Sequence, residues 1–151
     1  MIIRPARISD VKEIHSLIEY YANNKEMLHR SLSSIYENIQ EFIILESKNK
    51  VLACGALHVS WEDLAEIKSL AVCEEYKKQG FGKRIVETLQ NNAKILGINR
   101  VFSLSFKPEF FIKLGYKVIS KESLPRKVWT ECVNCYLFPD CGEVPLLIYL
   151  G

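Results

Sequence analysis

The chain has 151 residues, of which 48% are apolar and 25% charged, and a net charge of +2. That is the balance of a soluble globular protein long enough to bury a real core, and so small a net charge argues against a nucleic-acid surface. Lys77, Lys78, Lys83 and Arg84 do cluster, but Glu74, Glu75 and Glu87 sit among them, as on a solvated helix entrance. No charged leader followed by an apolar run opens the sequence, and no apolar stretch approaches a membrane span, so a cytoplasmic protein without a membrane partner is expected. Five cysteines is an odd number and no secretion signal accompanies them, which argues against a disulfide framework.

Ile2-Ile3-Arg4-Pro5-Ala6 reads as a first strand. Ser9 is a candidate N-cap for a helix whose apolar face is Val11, Ile14, Leu17, Ile18 and Tyr21, ending at Asn23-Asn24-Lys25. A second helix starts between Ser31 and Ser34, where Ser34 and Glu37 have capping-box spacing and Ile35 and Ile39 form the inner face. Met27-Leu28-His29-Arg30, between the helices, is irregular and partly apolar, a candidate pocket wall. Phe42–Ser47 and Val51–Val59 read as strands joined by the hairpin-length turn Lys48-Asn49-Lys50.

Glu66 to Leu96 is the stretch around which the chain is organised. It holds a mostly apolar strand, Ile67 to Val72, then a charged loop closing on Gly80-Phe81-Gly82. A helix follows, with Ile85, Val86, Leu89, Ala93 and Leu96 on one face. A strand that feeds a helix through a glycine-bearing turn aims unpaired backbone N–H groups at one spot, with the positive end of the helix dipole behind them. Such a spot suits a phosphate. The loop lacks the Gly-x-x-x-x-Gly-Lys-Ser/Thr of a P-loop and the third glycine of a dinucleotide fingerprint. Gly97 stands where a helix C′ glycine belongs. Arg100–Ser105 is another strand, Pro108 opens a short helix over Glu109–Leu114 stopped by Gly115, and Tyr116–Ile119 and Val144–Leu150 complete the strands. The order β, α, α, β, β, β, α, β, α, β, β predicts an α/β domain over residues 1–151, its sheet mixed and mostly antiparallel with a parallel pair around the long helix.

Lys77-Lys78-Gln79-Gly80-Phe81-Gly82 resembles the acyl-CoA loop of the GNAT acetyltransferase superfamily, Gln/Arg-x-x-Gly-x-Gly/Ala, with Lys at the first position. The element order is similar to that superfamily's along the whole chain. The resemblance implies a GNAT fold whose central parallel strands splay around acetyl-CoA, the cosubstrate, held by Leu70, Ala71, Val72, Lys78, Gln79, Gly80, Phe81, Gly82 and Lys83. Arg30-Ser31, Glu41–Glu46, Cys54–Leu57, Ala65–Val72, Phe110–Tyr116 and Leu124-Pro125 fall in the order found in N-acetylglutamate synthase acetyltransferase domains. The nearest likeness is to short stand-alone bacterial forms ending in Trp-x-x-Cys-x-x-Cys and a further Cys, here Trp129, Cys132, Cys135 and Cys141. No room is expected for the arginine-binding kinase domain of the larger synthases, and a homodimer is left open.

The implied chemistry is acetyl transfer to the α-amino group of glutamate, the first step of arginine synthesis, by direct attack in a ternary complex. An ammonium must lose a proton before it attacks a thioester, and Glu66 resembles the family's proposed base; otherwise it is a strand-end surface glutamate. A backbone N–H of Leu70 or Ala71 is the simplest donor to the developing oxyanion. Phe111 stands where many GNAT enzymes have an acid tyrosine, so Ser105, on the strand where the synthases are thought to use a serine, is the candidate for protonating or hydrogen-bonding the departing sulfur. Arg30 matches the arginine placed on a substrate carboxylate, which a planar guanidinium fits with two parallel hydrogen bonds. His58 stands where some synthases have a lysine and is a second substrate contact, a second base or a polar strand residue; His15 and His29 take no role.

Cys132, Cys135 and Cys141 offer three soft ligands, with Asp140 or Glu143 able to complete a zinc site, but three cysteines fall short of a finger pattern and ordinary thiols are the default, so no metal is expected. Cys54 and Cys73 read as small core residues. The rival readings are a GNAT enzyme for another amino acid or small amine, and a non-catalytic acetyl-CoA sensor.

Overall fold

The computed structural model describes residues 1–125 and 142–151; Cys132, Cys135, Asp140 and Cys141 lie outside the described residues. Strands are β1 (Ile2–Pro5), β2 (Phe42–Ser47), β3 (Lys50–Trp61), β4 (Leu64–Val72), β5 (Arg100–Ser105), β6 (Lys117–Val118) and β7 (Val144–Tyr149). Helices are α1 (Val11–Asn23), α2 (Leu32–Glu37), α3 (Phe81–Ile95) and α4 (Pro108–Lys113). The element order is the one expected, and the strands form a single sheet in the order β1-β2-β3-β4-β5-β7-β6.

Among the described residues every pairing is antiparallel except β4 with β5, the pair that α3 connects. Helices cover both faces. On one, α3 buries Ile85, Val86, Leu89 and Ala93 against Leu45, Leu57, Ile67 and Val101. On the other, α1 buries Val11, Ile14, Ile18 and Tyr21, and α2 buries Ile35, against Phe42, Ile44 and Ala56. A small separate cluster of Leu64, Phe102 and Leu124 closes the core beyond β4.

Local details correct several expectations. Ser9 does not cap α1: residues Ile8–Asp10 form a 3-10 turn, Asp10 is the N-cap, and its Oδ2 accepts from the Arg7 N–H at 2.7 Å. Ser31 rather than Ser34 caps α2, its hydroxyl accepting from the Ser34 N–H at 3.1 Å. Leu96 is not on the inner face of α3; it is the C-cap and is exposed. Gly97 takes φ +86°, and the N–H groups of Gly97 and Ile98 return to the carbonyls of Lys94 and Ala93. That is the Schellman ending, and it turns Ile98 into the core in place of Leu96. Cys54 is buried as expected, but Cys73 is half-buried. At the β2–β3 turn, Lys48 and Asn49 both adopt positive φ, as a two-residue primed hairpin turn requires.

Candidate active site

The parallel pairing of β4 with β5 runs only from Leu64↔Arg100 to Glu66↔Phe102. Beyond it the strands part: β4 stays on β3 and β5 stays on β7. In the gap the buried Ser103 hydroxyl donates to the Ile67 carbonyl at 3.1 Å, satisfying a group that the lost ladder would leave orphaned. A cleft of about 1070 Å³ opens there, walled by residues 26–30, by β4, by the loop into α3 and by the end of β5. Met27-Leu28-His29-Arg30 lines it, as expected.

β4 carries a bulge facing this cleft. Cys54 pairs with Ala71 and Ala56 with Lys68, so Ser69 and Leu70 both oppose Gly55. Ser69 adopts φ +56°, which costs a non-glycine residue about 1–2 kcal/mol. It is held from two sides: its hydroxyl accepts from Arg30 Nη1 at 3.0 Å, and its carbonyl accepts from the Cys54 thiol at 3.4 Å. Burial pushes that thiol up to about 12, so it stays protonated and able to donate. Gly55 has no side chain because α3 leaves no space: a Cβ there would lie 2.6 Å from Ile85 Cγ2. Leu70, Ala71 and Val72, just beyond the bulge, all line the cleft.

In the loop before α3, Lys78 has φ +66° and Gly80, the N-cap, has φ +82°. Alternating backbone hand of this kind turns successive N–H groups inward as an anion nest. The first intrahelical bond is that from the Arg84 N–H to the Gly80 carbonyl, so the N–H groups of Phe81, Gly82 and Lys83 precede the ladder at the positive end of a 15-residue helix. No atom lies within 4 Å of a Cβ built on Gly80, whereas one on Gly82 would lie 3.1 Å from the Phe110 ring. Open space before the first glycine and close packing behind the second fit a diphosphate on the backbone. Lys78, Gly80, Phe81, Gly82 and Lys83 line the cleft; Gln79 does not.

Arg30, His58 and Glu66 also line the cleft. Glu66 is not a surface glutamate. It is 6% exposed, in the ladder opposite His58. Arg30 Nε donates to Ser34 Oγ at 3.0 Å and its guanidinium lies 4.9 Å from the Phe42 ring centre. Burial holds its pKa below the ordinary arginine value, against the opposing pull of Glu41 and Glu66. With five N–H donors and bonds to Ser34 and Ser69, donors remain for a ligand. Ser105 also lines the cleft, its Oγ accepting from the Lys107 N–H at 2.9 Å, which leaves its own proton to donate. Phe111 is buried against Phe110 and Tyr116, so its position offers no acid.

Sequence reasoning missed Glu41, Ser69, Tyr21 and the pair Glu26–Lys107. Tyr21 was assigned to the core, but its hydroxyl donates to the Val72 carbonyl beside the cofactor loop. Glu26 and Lys107 form an ion pair between the two walls of the cleft, 81 positions apart in sequence. His29, given no role, lines the cleft and pairs with Glu19 at 2.8 Å. Among the described residues no cluster of His, Cys, Asp and Glu could hold a metal ion.

A family model, the acetyltransferase (GNAT) domain, matches residues 38–118, which hold the bulged strand, the glycine loop and the splayed pair. The chain belongs to the GNAT acetyltransferase family. Over 97% of its length it is 39% identical to an amino-acid acetyltransferase of Mycobacterium tuberculosis, covering 83% of that protein. It is 38% identical to an uncharacterized N-acetyltransferase of Chlorobaculum tepidum, over 96% of this chain and 94% of that one. Among solved structures it is similar to N-acetylglutamate synthase from Neisseria gonorrhoeae complexed with coenzyme A and N-acetyl-glutamate, with TM-score 0.89 and 29% identity, over 99% of this chain and 35% of that one. The seven-stranded mixed sheet is therefore a GNAT fold, and the chain is an N-acetyltransferase with acetyl-CoA as cosubstrate. No helix among the described residues is long and apolar enough to cross a membrane.

Proposed function

We propose that residues 1–151 act as one domain that acetylates the α-amino group of glutamate, by direct attack on acetyl-CoA in a ternary complex. What supports this reading is that a half-buried guanidinium, Arg30, and a buried carboxylate, Glu66, line the same cleft as the glycine loop. A glutamate carboxylate would take two N–H groups of Arg30, and Glu66 would accept the ammonium proton directly or through one water.

The N–H groups of Leu70 and Ala71, carried by the bulge, receive the oxygen that gains negative charge as the amine adds. Ser105 hydrogen-bonds or protonates the departing sulfur, and the nest from Lys78 through Gln79 to Lys83 holds the diphosphate. Similarity to the gonococcal synthase supports glutamate as acceptor, and with it a place at the first step of arginine synthesis in the cytoplasm.

A specific contact favours a second reading within the same chemistry. Glu41 sits 2.7 Å from His58 and 3.9 Å from Arg30, drawing off part of the positive charge a dicarboxylate would use. Another amino acid with an uncharged side chain suits that balance. The deciding experiment is thiol release from acetyl-CoA with each common amino acid offered in turn. Turnover confined to glutamate supports the first reading, and preference for an uncharged amino acid supports the second. Arg30→Ala is expected to raise KM for the acceptor far more than KM for acetyl-CoA; equal effects on both would sink the assignment of Arg30.

A further inference from the structure

Overall, this reaction removes two protons from the acceptor nitrogen. An ammonium becomes an amide N–H, one proton ends on the CoA sulfur and the other is released to water. A single buried carboxylate can hold only one at a time. His58 stands beside Glu66: the two are direct partners in the antiparallel β3–β4 ladder, so their side chains share a face with Cβ atoms about 4.5–5.5 Å apart. Both line the cleft.

Behind them lies Glu41, the last residue of a 3-10 turn running into β2. Its Oε2 is 2.7 Å from His58 Nδ1, while its Oε1 is buried without a hydrogen-bond partner among the described residues and lies 3.9 Å from Arg30 Nη2. A buried carboxylate oxygen left unbonded is costly, and the neighbouring guanidinium offsets that cost only by its charge. The carboxylate does not line the cleft, whereas the two residues it touches do. An ionised carboxylate can only accept, so Nδ1 must be the donor; in the neutral imidazole, Nε2 then carries the lone pair.

We propose that Glu41 is a positioning residue for catalysis, and that the imidazole it orients is the second proton acceptor of the reaction. With Nδ1–H held by Glu41, Nε2 of His58 accepts the proton shed by the nitrogen, directly or through one water. The N–H bond breaks, an N–H bond forms at Nε2, and the resulting imidazolium is held between Glu41 and Glu66. Among the described residues, Glu41 before β2 contacts the His58 ring and Glu66 on β4 opposes it in the ladder, while Arg30 before α2 stands on the far side of the Glu41 carboxylate at 3.9 Å. This assigns His58 to proton transfer rather than to the substrate carboxylate. It rests on the proposed amino-acid acetylation but not on which amino acid is used.

The test is Glu41→Gln and Glu41→Ala in the full chain, read by the nitrogen shifts of the His58 ring and by steady-state kinetics with whichever acceptor turns over fastest. In the native protein the neutral ring is expected as the Nδ1–H tautomer, and Glu41→Ala should convert it to the Nε2–H form. Glu41→Ala should lower kcat about ten- to a hundredfold, the usual loss when the partner that orients a functional histidine is removed. KM for acetyl-CoA should stay within about twofold, and Glu41→Gln, whose carbonyl can still accept from Nδ1–H, should recover part of the rate. An unchanged tautomer in Glu41→Ala, or a loss confined to acceptor KM, would overturn the proposal. The ring measurement needs no acceptor, so the tautomer shift in a protein that spares glutamate would discard the glutamate reading and leave the role of Glu41 standing.

Discussion

Replacing Gly55 by alanine tests whether α3 must lie directly on the bulged strand. A Cβ there meets Ile85 Cγ2 at 2.6 Å and Leu89 Cδ1 at 3.2 Å, where apolar carbons settle at about 3.5–4.0 Å. Both contacts are on α3, and both side chains belong to its buried face, so neither can swing into solvent. The helix must therefore retreat by about 1 Å, or the bulge must shift. Overpacking of this kind costs about 1–3 kcal/mol, and alanine recovers about 0.4–1 kcal/mol by restricting the unfolded chain. The net loss of about 1–2 kcal/mol should lower Tm by roughly 2–8 °C at this chain length. Ile85 lies one turn into α3, and the first turn carries the N–H groups of the phosphate loop, so KM for acetyl-CoA should rise with the fall in Tm. Thermal melts followed by circular dichroism and a titration of acetyl-CoA at saturating acceptor check both. A Tm within about 1 °C of the native value and an unchanged KM would refute the reasoning, because the helix would then have slack over β3 that the packing denies.

Three further predictions follow from the same geometry. Glu66→Gln should lower kcat about 10²–10⁴-fold with little change in KM for acetyl-CoA; a native rate at neutral pH would remove Glu66 from proton transfer. Gly80→Ala meets no atom within 4 Å, so its stability cost should be only the conformational one of about 1–2 kcal/mol, while its methyl group intrudes on the diphosphate and weakens CoA binding measured by calorimetry. At Asp10, burial alone would raise the carboxyl, but the guanidinium of Arg4, at 2.8 and 3.0 Å, and the Arg7 N–H outweigh it and hold its pKa below the usual range. That pairing stabilises the fold above the ordinary carboxylate pKa and is lost as pH falls through the lowered value. Asp10→Asn should cost about 1.5–3 kcal/mol at pH 7 and progressively less toward acid, as guanidinium-chloride midpoints at several pH values would show.

Element types and order were legible because their signals are local. The apolar run Phe42–Leu45, the three-and-four spacing of Ile85, Val86, Leu89 and Ala93, and the stops at Gly97 and Gly115 each depend on residues a few positions apart. The glycine turn into α3 was legible for the same reason, since Gly80 acts through its own backbone at the helix N-cap. Caps were read less well. Ser9, Ser31 and Ser34 are chemically equal candidates; at α1 the N-cap position fell to Asp10, which Arg4 binds, and at α2 to Ser31, which accepts from the Ser34 N–H.

What the amino-acid order determined by itself was the succession of strands and helices, the glycine loop and, through likeness to relatives, the residue types around an acetyl-transfer site. What tertiary structure alone decided was which of those residues meet. Arg30 grips Ser69 across 39 positions, Glu41 reaches His58 across 17, and Glu26 joins Lys107 across 81. None of these pairs shares a helical or strand period. Glu41 meets His58 where the β2–β3 ladder continues past Phe42 and Ala56, and the other two pairs line the cleft left where β4 and β5 part after Glu66 and Phe102. A cleft made by the failure of a ladder has no periodicity of its own to leave in the sequence.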